Sequence, residues 1–167
     1  SGILVGHEAS DVLIHRHYSH DEGDMGIIIG PSSNVKLTSS IVENPAYHPL
    51  RINNAKDVEV YHNTIALGPD SSGSAIDIEG NSKRISIKNN IIASLVSGKP
   101  NRYMRFLSGN TPSNTDTTMS HNIWWRPDAD ATFYDKDKGD MSFEKFQEKE
   151  QQVHINLLNE KVDYLIQ

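Results

Sequence analysis

The polar and apolar positions of this chain repeat a short template. Two apolar residues stand two positions apart, and a polar residue follows three positions after the second of them. The stretches "VEVYHN" and "ISIKNN" show the template most clearly, and both end on asparagine. Four copies begin at residues 12, 35, 58 and 85 and lead to His17, Ser40, Asn63 and Asn90, and a weaker fifth begins at Thr117 and leads to Asn122.

Each copy is flanked by further short segments that are typical of β-strands. The upstream segments carry two alternating apolar residues, and the downstream segments follow the polar residue directly. Asn, Gly, Ser and Pro interrupt these runs, so they cannot form an amphipathic helix with its 3.6-residue period. The upstream segments are residues 2–5, 26–29, 50–52, 76–78 and 104–106, and the downstream ones are 41–42, 64–65, 91–92 and 123–124.

Three short strands in every period of 23 to 32 residues predict a coil. One turn cannot bury its apolar side alone, whereas stacked turns bury a continuous core and pair each other's backbone groups. Asparagine at the same corner of successive turns tolerates a left-handed bend and can bond from turn to turn. We therefore predict an all-β, parallel β-helix of about five rungs over residues 1–125. A β-sandwich also has many short strands, but its strands do not share one template at a fixed period.

Residues 126–167 are expected to close the coil. The segment 126–141 is rich in Asp, Lys and Pro, which is typical of an exposed loop. Ser142 can cap a short helix over residues 143–152, with Phe143 and Phe146 lying over the last rung. The tail "VHINLLNEKVDYLI" is expected to run extended along the coil.

Composition excludes several classes of function. The chain has 16 Lys and Arg against 22 Asp and Glu, for a net charge of −6, and no polybasic run. Nucleic acid is therefore not an expected partner, because phosphate binding needs clustered cations. The absence of cysteine excludes a disulfide framework, and no apolar run is long enough to predict a membrane span.

Candidate chemistry lies on the first strand of each period. With its alternate apolar residues pointing inward, the outward residues of successive rungs are expected to stack about 4.8 Å apart. Arg51, Asp77 and Arg105 would then be neighbours. Further polar residues lie in the preceding loops or just past the strand. The column comprises Leu4, Ile28, Arg51, Asp77 and Arg105, and the neighbouring residues are Tyr47, His48, Asn53, Glu79, Lys99, Arg102 and Tyr103.

Several stretches carry a family resemblance: "NVKLTSSIV", "DVEVYHNTIAL", "GSAIDIEGNSKRISIKNNIIAS" and "HYSHDEGDMGIIIG". Over residues 2–125 the chain resembles right-handed parallel β-helix repeat proteins of the pectate-lyase-like superfamily. The resemblance implies a right-handed coil in a secreted or cell-surface protein. It also implies a lyase of acidic polysaccharides, with a substrate groove along the face of the charged column and, in some relatives, calcium at the uronic-acid carboxylate.

A lyase of this kind works by β-elimination, which needs a cation at the sugar carboxylate and a base for the adjacent C–H. Arg51 and Arg105 are the predicted clamps, and His48 or Tyr47 is the predicted base or acid. Asp77 would orient the arginines. The predicted substrate-binding residues are Asp77, Asn53, Glu79, Arg102 and Tyr103.

Other interpretations stay open at this point. Asp77 with Glu79 or Glu43 fits the paired carboxylates of a glycosidase. The Arg-Asp-Arg column also fits a solvated ladder of salt bridges. The whole chain fits a non-catalytic glycan-binding or structural β-helix module of a larger protein.

Two expectations concern the beginning of the coil. The loop with Asp21, Glu22 and Asp24 offers oxygen ligands, so calcium is a candidate cofactor, although the spacing matches no twelve-residue calcium loop and no metal ligand is assigned. The resembling proteins cap their first rung with a helix, whereas this chain opens in a strand. Self-association, or contact with a parent chain, is therefore expected at the first rung.

Overall fold

The computed structural model describes residues 1–96, 102–107, 110–111, 115–127, 132–136 and 139–149. Within them the chain winds through three sheets, and each turn contributes one strand to each sheet. Sheet A contains β1 (Ile3–Val5), β4 (Ile27–Ile29), β7 (Leu50–Asn53), β10 (Ser74–Glu79), β13 (Arg102–Phe106), β16 (Thr132–Asp135) and β17 (Gly139–Ser142). Sheet B contains β2 (Ala9–His15), β5 (Ser32–Thr38), β8 (Lys56–Tyr61), β11 (Lys83–Lys88) and β14 (Thr117–Ser120). Sheet C contains β3 (Tyr18–His20), β6 (Ile41–Glu43), β9 (Thr64–Leu67), β12 (Ile91–Ser94) and β15 (Ile123–Trp125).

The five copies of the template stack in register, as predicted. Val58 pairs with Val35 on one side and with Ile85 on the other, and Ile85 pairs in turn with Thr117. All strand pairs are parallel except the last pair, β16 with β17. The fold is an all-β parallel coil of about five turns, which confirms the predicted fold class.

The core is a continuous column of apolar side chains inside the coil. In sheet A the alternate residues fill it, and each is fully buried. Trp124 packs against the core at the last rung, as predicted, and Trp125 points outward. The fully buried sheet A residues are Ile27, Ile29, Leu50, Ile52, Ile76, Ile78, Met104 and Phe106.

The repeated polar residue forms a buried ladder at the corner between sheets B and C. The backbone N–H of Ser40 donates to Asn63 Oδ1 at 2.9 Å, that of Asn63 to Asn90 Oδ1 at 2.9 Å, and that of Asn90 to Asn122 Oδ1 at 3.0 Å. The residue just before each ladder position has a positive φ, between 53° and 56°, at Arg16, Ser39, His62, Asn89 and His121. The amides therefore satisfy backbone donors that the left-handed bend leaves unpaired.

The C-terminal region corrects one prediction. Residues 126–141 are not simply an exposed loop, because Thr132–Asp135 and Gly139–Ser142 form an antiparallel hairpin at the end of sheet A. Helix α1 (Phe143–Lys149) follows, and Ser142 Oγ accepts the N–H of Lys145 at 3.3 Å, as a capping residue does. The ring of Phe146 stacks on that of Phe133, with centroids 4.2 Å apart, so the helix packs on the hairpin strand β16 rather than directly on the last rung, as was predicted. The rest of the predicted helix and the tail lie outside the described residues.

Candidate functional site

The charged column on the outer face of sheet A has the predicted order. Arg51 of β7 pairs in register with Asp77 of β10, and Asp77 pairs with Arg105 of β13. Tyr134 of β16 extends the column by one more rung. The strand spacing therefore brings together three charged side chains that are 26 and 28 residues apart along the chain.

Asp77 points outward from the sheet and is nevertheless fully buried. Arg105 Nε donates to its Oδ1 at 2.8 Å. Its Oδ2 lies 3.6 Å from His48 Nε2 and 3.9 Å from Arg51 Nε, and it has no hydrogen-bond donor among the described residues. The neighbouring cations thus fold over the carboxylate and shield it from solvent.

His48 reaches the column from the loop that precedes β7, and its ring is also fully buried. Its Nδ1 lies 2.9 Å from the carbonyl oxygen of Ser74, and its Nε2 lies 2.9 Å from Nη2 of Arg105. A guanidinium can only donate, so a neutral ring accepts from Arg105 at Nε2 and carries its proton on Nδ1, where it donates to the Ser74 carbonyl and cannot also accept the Ser74 backbone N–H that lies 2.9 Å away. Burial lowers the pKa of His48, and the charge of Asp77 only partly opposes this effect.

The two arginines are held differently. Arg51 forms an ion pair with Glu79, which is one rung further and two residues past Asp77. Arg105 binds Asp77 and His48 and also interacts with Tyr47. Burial lowers the pKa of Arg105, but the hydrogen bonds and charges of Asp77 and Tyr47 outweigh it, and the net pKa is raised.

Five side chains form two layers, an outer one and an enclosed one. We call them together the arginine surface: Tyr47, Arg51, Arg105, Asp77 and His48. Tyr47 is 36% exposed, and the side chains of Arg51 and Arg105 are 28% and 16% exposed. Beneath them lie Asp77 and His48, which solvent does not reach. The accessible layer therefore presents guanidinium and phenol donors, while the carboxylate that orients them is enclosed.

The remaining predicted site residues lie in different environments. Asn53 and Glu79 pair in register just past the column, as predicted. Arg102 is bound in a bidentate pair by Asp140, at 2.5 and 3.0 Å, and lies 4.4 Å over the ring of Tyr134. Lys99 lies outside the described residues.

Tyr103, a predicted substrate-binding residue, lies away from the surface. Its side chain is buried in the core, where the ring contacts those of Trp124 and Phe133 with centroids 5.8 and 6.4 Å apart. The adjacent residues Tyr103 and Met104 both belong to the core cluster, so β13 departs from strict alternation at its beginning, and only Arg102 and Arg105 of this strand stay partly exposed. The side chain of Tyr103 is therefore not accessible for the predicted contact with a substrate.

Sequence reasoning missed some neighbours of the site. Tyr134 and Asp140 belong to the hairpin that the sequence analysis interpreted as a loop, although the alternating "TFYD" was an available signal for a strand. Met25 was also missed, and its sulfur lies 3.9 Å from Nη1 of Arg51. Glu43 lies on sheet C, where it accepts the hydroxyl of Tyr18 at 2.6 Å. It is therefore on a different face from Asp77.

The described residues contain no group of three or more His, Cys, Asp or Glu side chains arranged to hold a metal ion. In the loop that suggested calcium, Asp21 instead accepts hydrogen bonds from Asn44 at 2.6 Å and contacts His20 at 3.1 Å. His17, at the ladder corner, donates its backbone N–H to Ser40 Oγ. No helix in the described part of the chain has the length and apolar character needed to cross a bilayer.

Comparison with known families agrees with this architecture. The family described as the right handed beta helix region matches residues 1–125, which is well over half of the chain. The chain belongs to the right-handed β-helix family. The match covers all five β-helix rungs and ends at Trp125, before the hairpin and α1. No curated protein and no solved structure gives a significant match to this β-helix.

Proposed function

We propose that this β-helix is a carbohydrate-active protein that binds an acidic polysaccharide along the arginine surface. One observation carries the proposal: guanidinium and phenol donors form the accessible layer, and the Asp77 carboxylate lies enclosed beneath them. Donors held in place on a sheet suit the carboxylates of a uronic-acid polymer, because guanidinium binds carboxylate in a bidentate geometry. Such polymers are extracellular, so we place the protein outside the cell or on its surface.

For a β-elimination reaction, the roles divide between the two layers. Arg51 and Arg105 would neutralise the sugar carboxylate and so acidify the adjacent C–H. Of the two predicted proton-transfer residues, Tyr47 is accessible and His48 is buried, so Tyr47 would transfer the proton. His48 is enclosed and would act only by holding Arg105. A calcium ion brought in with the polymer would assist the same neutralisation.

A second candidate is binding without catalysis. Arg51 is already paired with Glu79, and Arg105 with Asp77. These partners reduce the positive charge left for a substrate, and they make the surface a rigid binding platform. In that case the protein would bind the polymer and release no product.

The test is a panel of polygalacturonate, alginate and glycosaminoglycans, each with calcium and with a chelator. Binding would be measured by affinity electrophoresis, and cleavage by the ultraviolet absorbance of the unsaturated product. Arg51→Gln should weaken binding about tenfold, the loss of one charge-assisted bond. Arg84→Gln is the matched control, because Arg84 is also paired with a carboxylate, that of Asp57, but lies on sheet B.

The outcomes separate the candidates. Product that disappears in Tyr47→Phe supports the lyase, and binding without product supports the platform. If no polymer binds, or if Arg51→Gln and Arg84→Gln bind equally well, the arginine surface is not the site.

A further inference from the structure

The outer face of sheet C differs from the other two outer faces. Along most of its length it carries large apolar side chains in register, one per rung, with Thr64 as the polar exception. These side chains lie 42 to 56% exposed, although each stands beside another apolar group. We call them the sheet C face: Tyr18, Ile41, Ile91, Ile123 and, in the neighbouring column, Trp125.

The other outer faces are mostly polar, and their exposed apolar residues, Leu13 on sheet B and Leu4 on sheet A, lie in the first rung. On sheet B, Lys36 pairs with Glu59 at 3.0 Å, and Arg84 pairs with Asp57. On sheet A, the apolar Leu4 and Ile28 give way to the arginine surface from the third rung onward. An exposed face that is apolar over most of a coil is typical of a surface that another segment covers.

A segment of suitable chemistry begins at the right end of the molecule. Helix α1 ends at Lys149, and Phe146 stacks on Phe133, whose ring contacts Trp124 in the last strand of sheet C at 4.9 Å. Residues 150–167 follow, outside the described residues. Within them, Val153, Ile155 and Leu157 alternate with polar residues, the pattern of a segment that buries one side.

The segment 150–167 is long enough to span all five rungs. Eighteen residues reach up to about 60 Å when extended. The four steps between five stacked rungs cover only about 19 Å. The segment can therefore leave the end of the coil and pass along every rung of sheet C.

We propose that residues 150–167 dock on the sheet C face and cover its apolar column. The apolar side chains of the segment would pack against Ile41, Ile91 and Ile123, and its polar residues would face solvent. The segment would then act as a strap that joins successive rungs from outside. This inference does not depend on the proposed polysaccharide site, which lies on sheet A.

The test uses the full chain, which has no cysteine. Asn156→Cys, at a polar position of the segment, would carry a nitroxide spin label, and isoleucine methyl signals would be followed by NMR. We expect the nitroxide to remove the signals of Ile41, Ile91 and Ile123. Ile28 is the matched control, because it is the outward isoleucine of sheet A.

Four further results decide whether the segment docks on the sheet C face. Adding Ile155→Asp to the labelled chain should restore the lost signals, because a carboxylate cannot pack on the apolar face. Equal loss at Ile28, or no loss at any isoleucine, would overturn the proposal. So would signal loss in isotope-labelled chains mixed with separate spin-labelled chains, because the occupant would then be a second copy.

Discussion

At the scale of single residues, a side chain that points away from the core is not necessarily exposed. Asp77 projects from the outer face of sheet A and is still enclosed by Arg51, Arg105 and His48. The strand alternation predicts the direction of this side chain but not the path of the long arginine side chains that fold over it. A carboxylate enclosed in this way depends on its cations, since an unpaired buried charge is costly.

We expect Asp77→Asn to lower the free energy of unfolding by about 3 to 5 kcal/mol, because it leaves two partly buried guanidiniums with one compensating carboxylate. Asp57→Asn is the control, since Asp57 also binds an arginine but at the surface, and little change is expected there. Urea denaturation followed by circular dichroism measures both. Equal stability losses in the two variants would show that the Asp77 cluster behaves as a surface ladder.

His48 should make stability depend on pH. Its pKa is lowered in the folded state by burial, so the unfolded chain binds a proton more readily. The folded state therefore has its full stability above the ordinary histidine pKa and loses stability as the pH falls below it. His48→Gln removes this titration, and its unfolding free energy should fall less steeply between about pH 7 and pH 5. Identical slopes for the variant and the parent chain would contradict the assignment.

At the scale of elements, the strands and corners that could be predicted are those that repeat with a regular period. The template positions predicted all five rungs because each rung must bury the same side and bend at the same corner. Asn63, Asn90 and Asn122 do form the buried ladder. The sequence interpretation was wrong in the C-terminal region, where the repeat ends.

The hairpin at the end of sheet A shows why. Asp, Lys and Pro between residues 126 and 141 favour a loop locally, and two strands of four residues leave little pattern to detect. Their pairing depends on the free edge that β13 offers, which is a tertiary effect. The burial of Tyr103 has the same origin, because the aromatic cluster with Phe133 exists only once the hairpin has formed.

The corner before β4 provides a prediction at this scale. A Cβ on Gly26 would lie 2.7 Å from the carbonyl oxygen of Pro49 in the next rung and would also meet Val42. Gly26→Ala should therefore cost about 1 to 3 kcal/mol of unfolding free energy, because rung spacing leaves the backbone no room to move. Gly23→Ala, three residues earlier, meets nothing within 4 Å and serves as the control. Thermal denaturation of both variants checks this, and equal midpoints would contradict it.

At the scale of the whole molecule, the core is one cluster that extends from Val5 in the first rung to Phe146 in α1. Repeat proteins gain stability from contacts between neighbouring rungs, so a continuous core should couple the distant ends. Both tryptophans, Trp124 and Trp125, lie in the last rung. Tryptophan fluorescence therefore reports on one end of the coil, while circular dichroism reports on all of it.

A substitution at the opposite end tests this coupling. Ile27 is fully buried in the second rung, between Ile3 and Leu50, and Ile27→Ala should cost about 2 to 5 kcal/mol. If the rungs unfold together, tryptophan fluorescence and circular dichroism will shift to lower urea by the same amount. The outward neighbour Ile28→Ala should shift neither signal appreciably. An unchanged fluorescence midpoint beside a shifted dichroism midpoint would mean that the last rung and its aromatic cap form a separate folding unit, because damage at one end would then not reach the other.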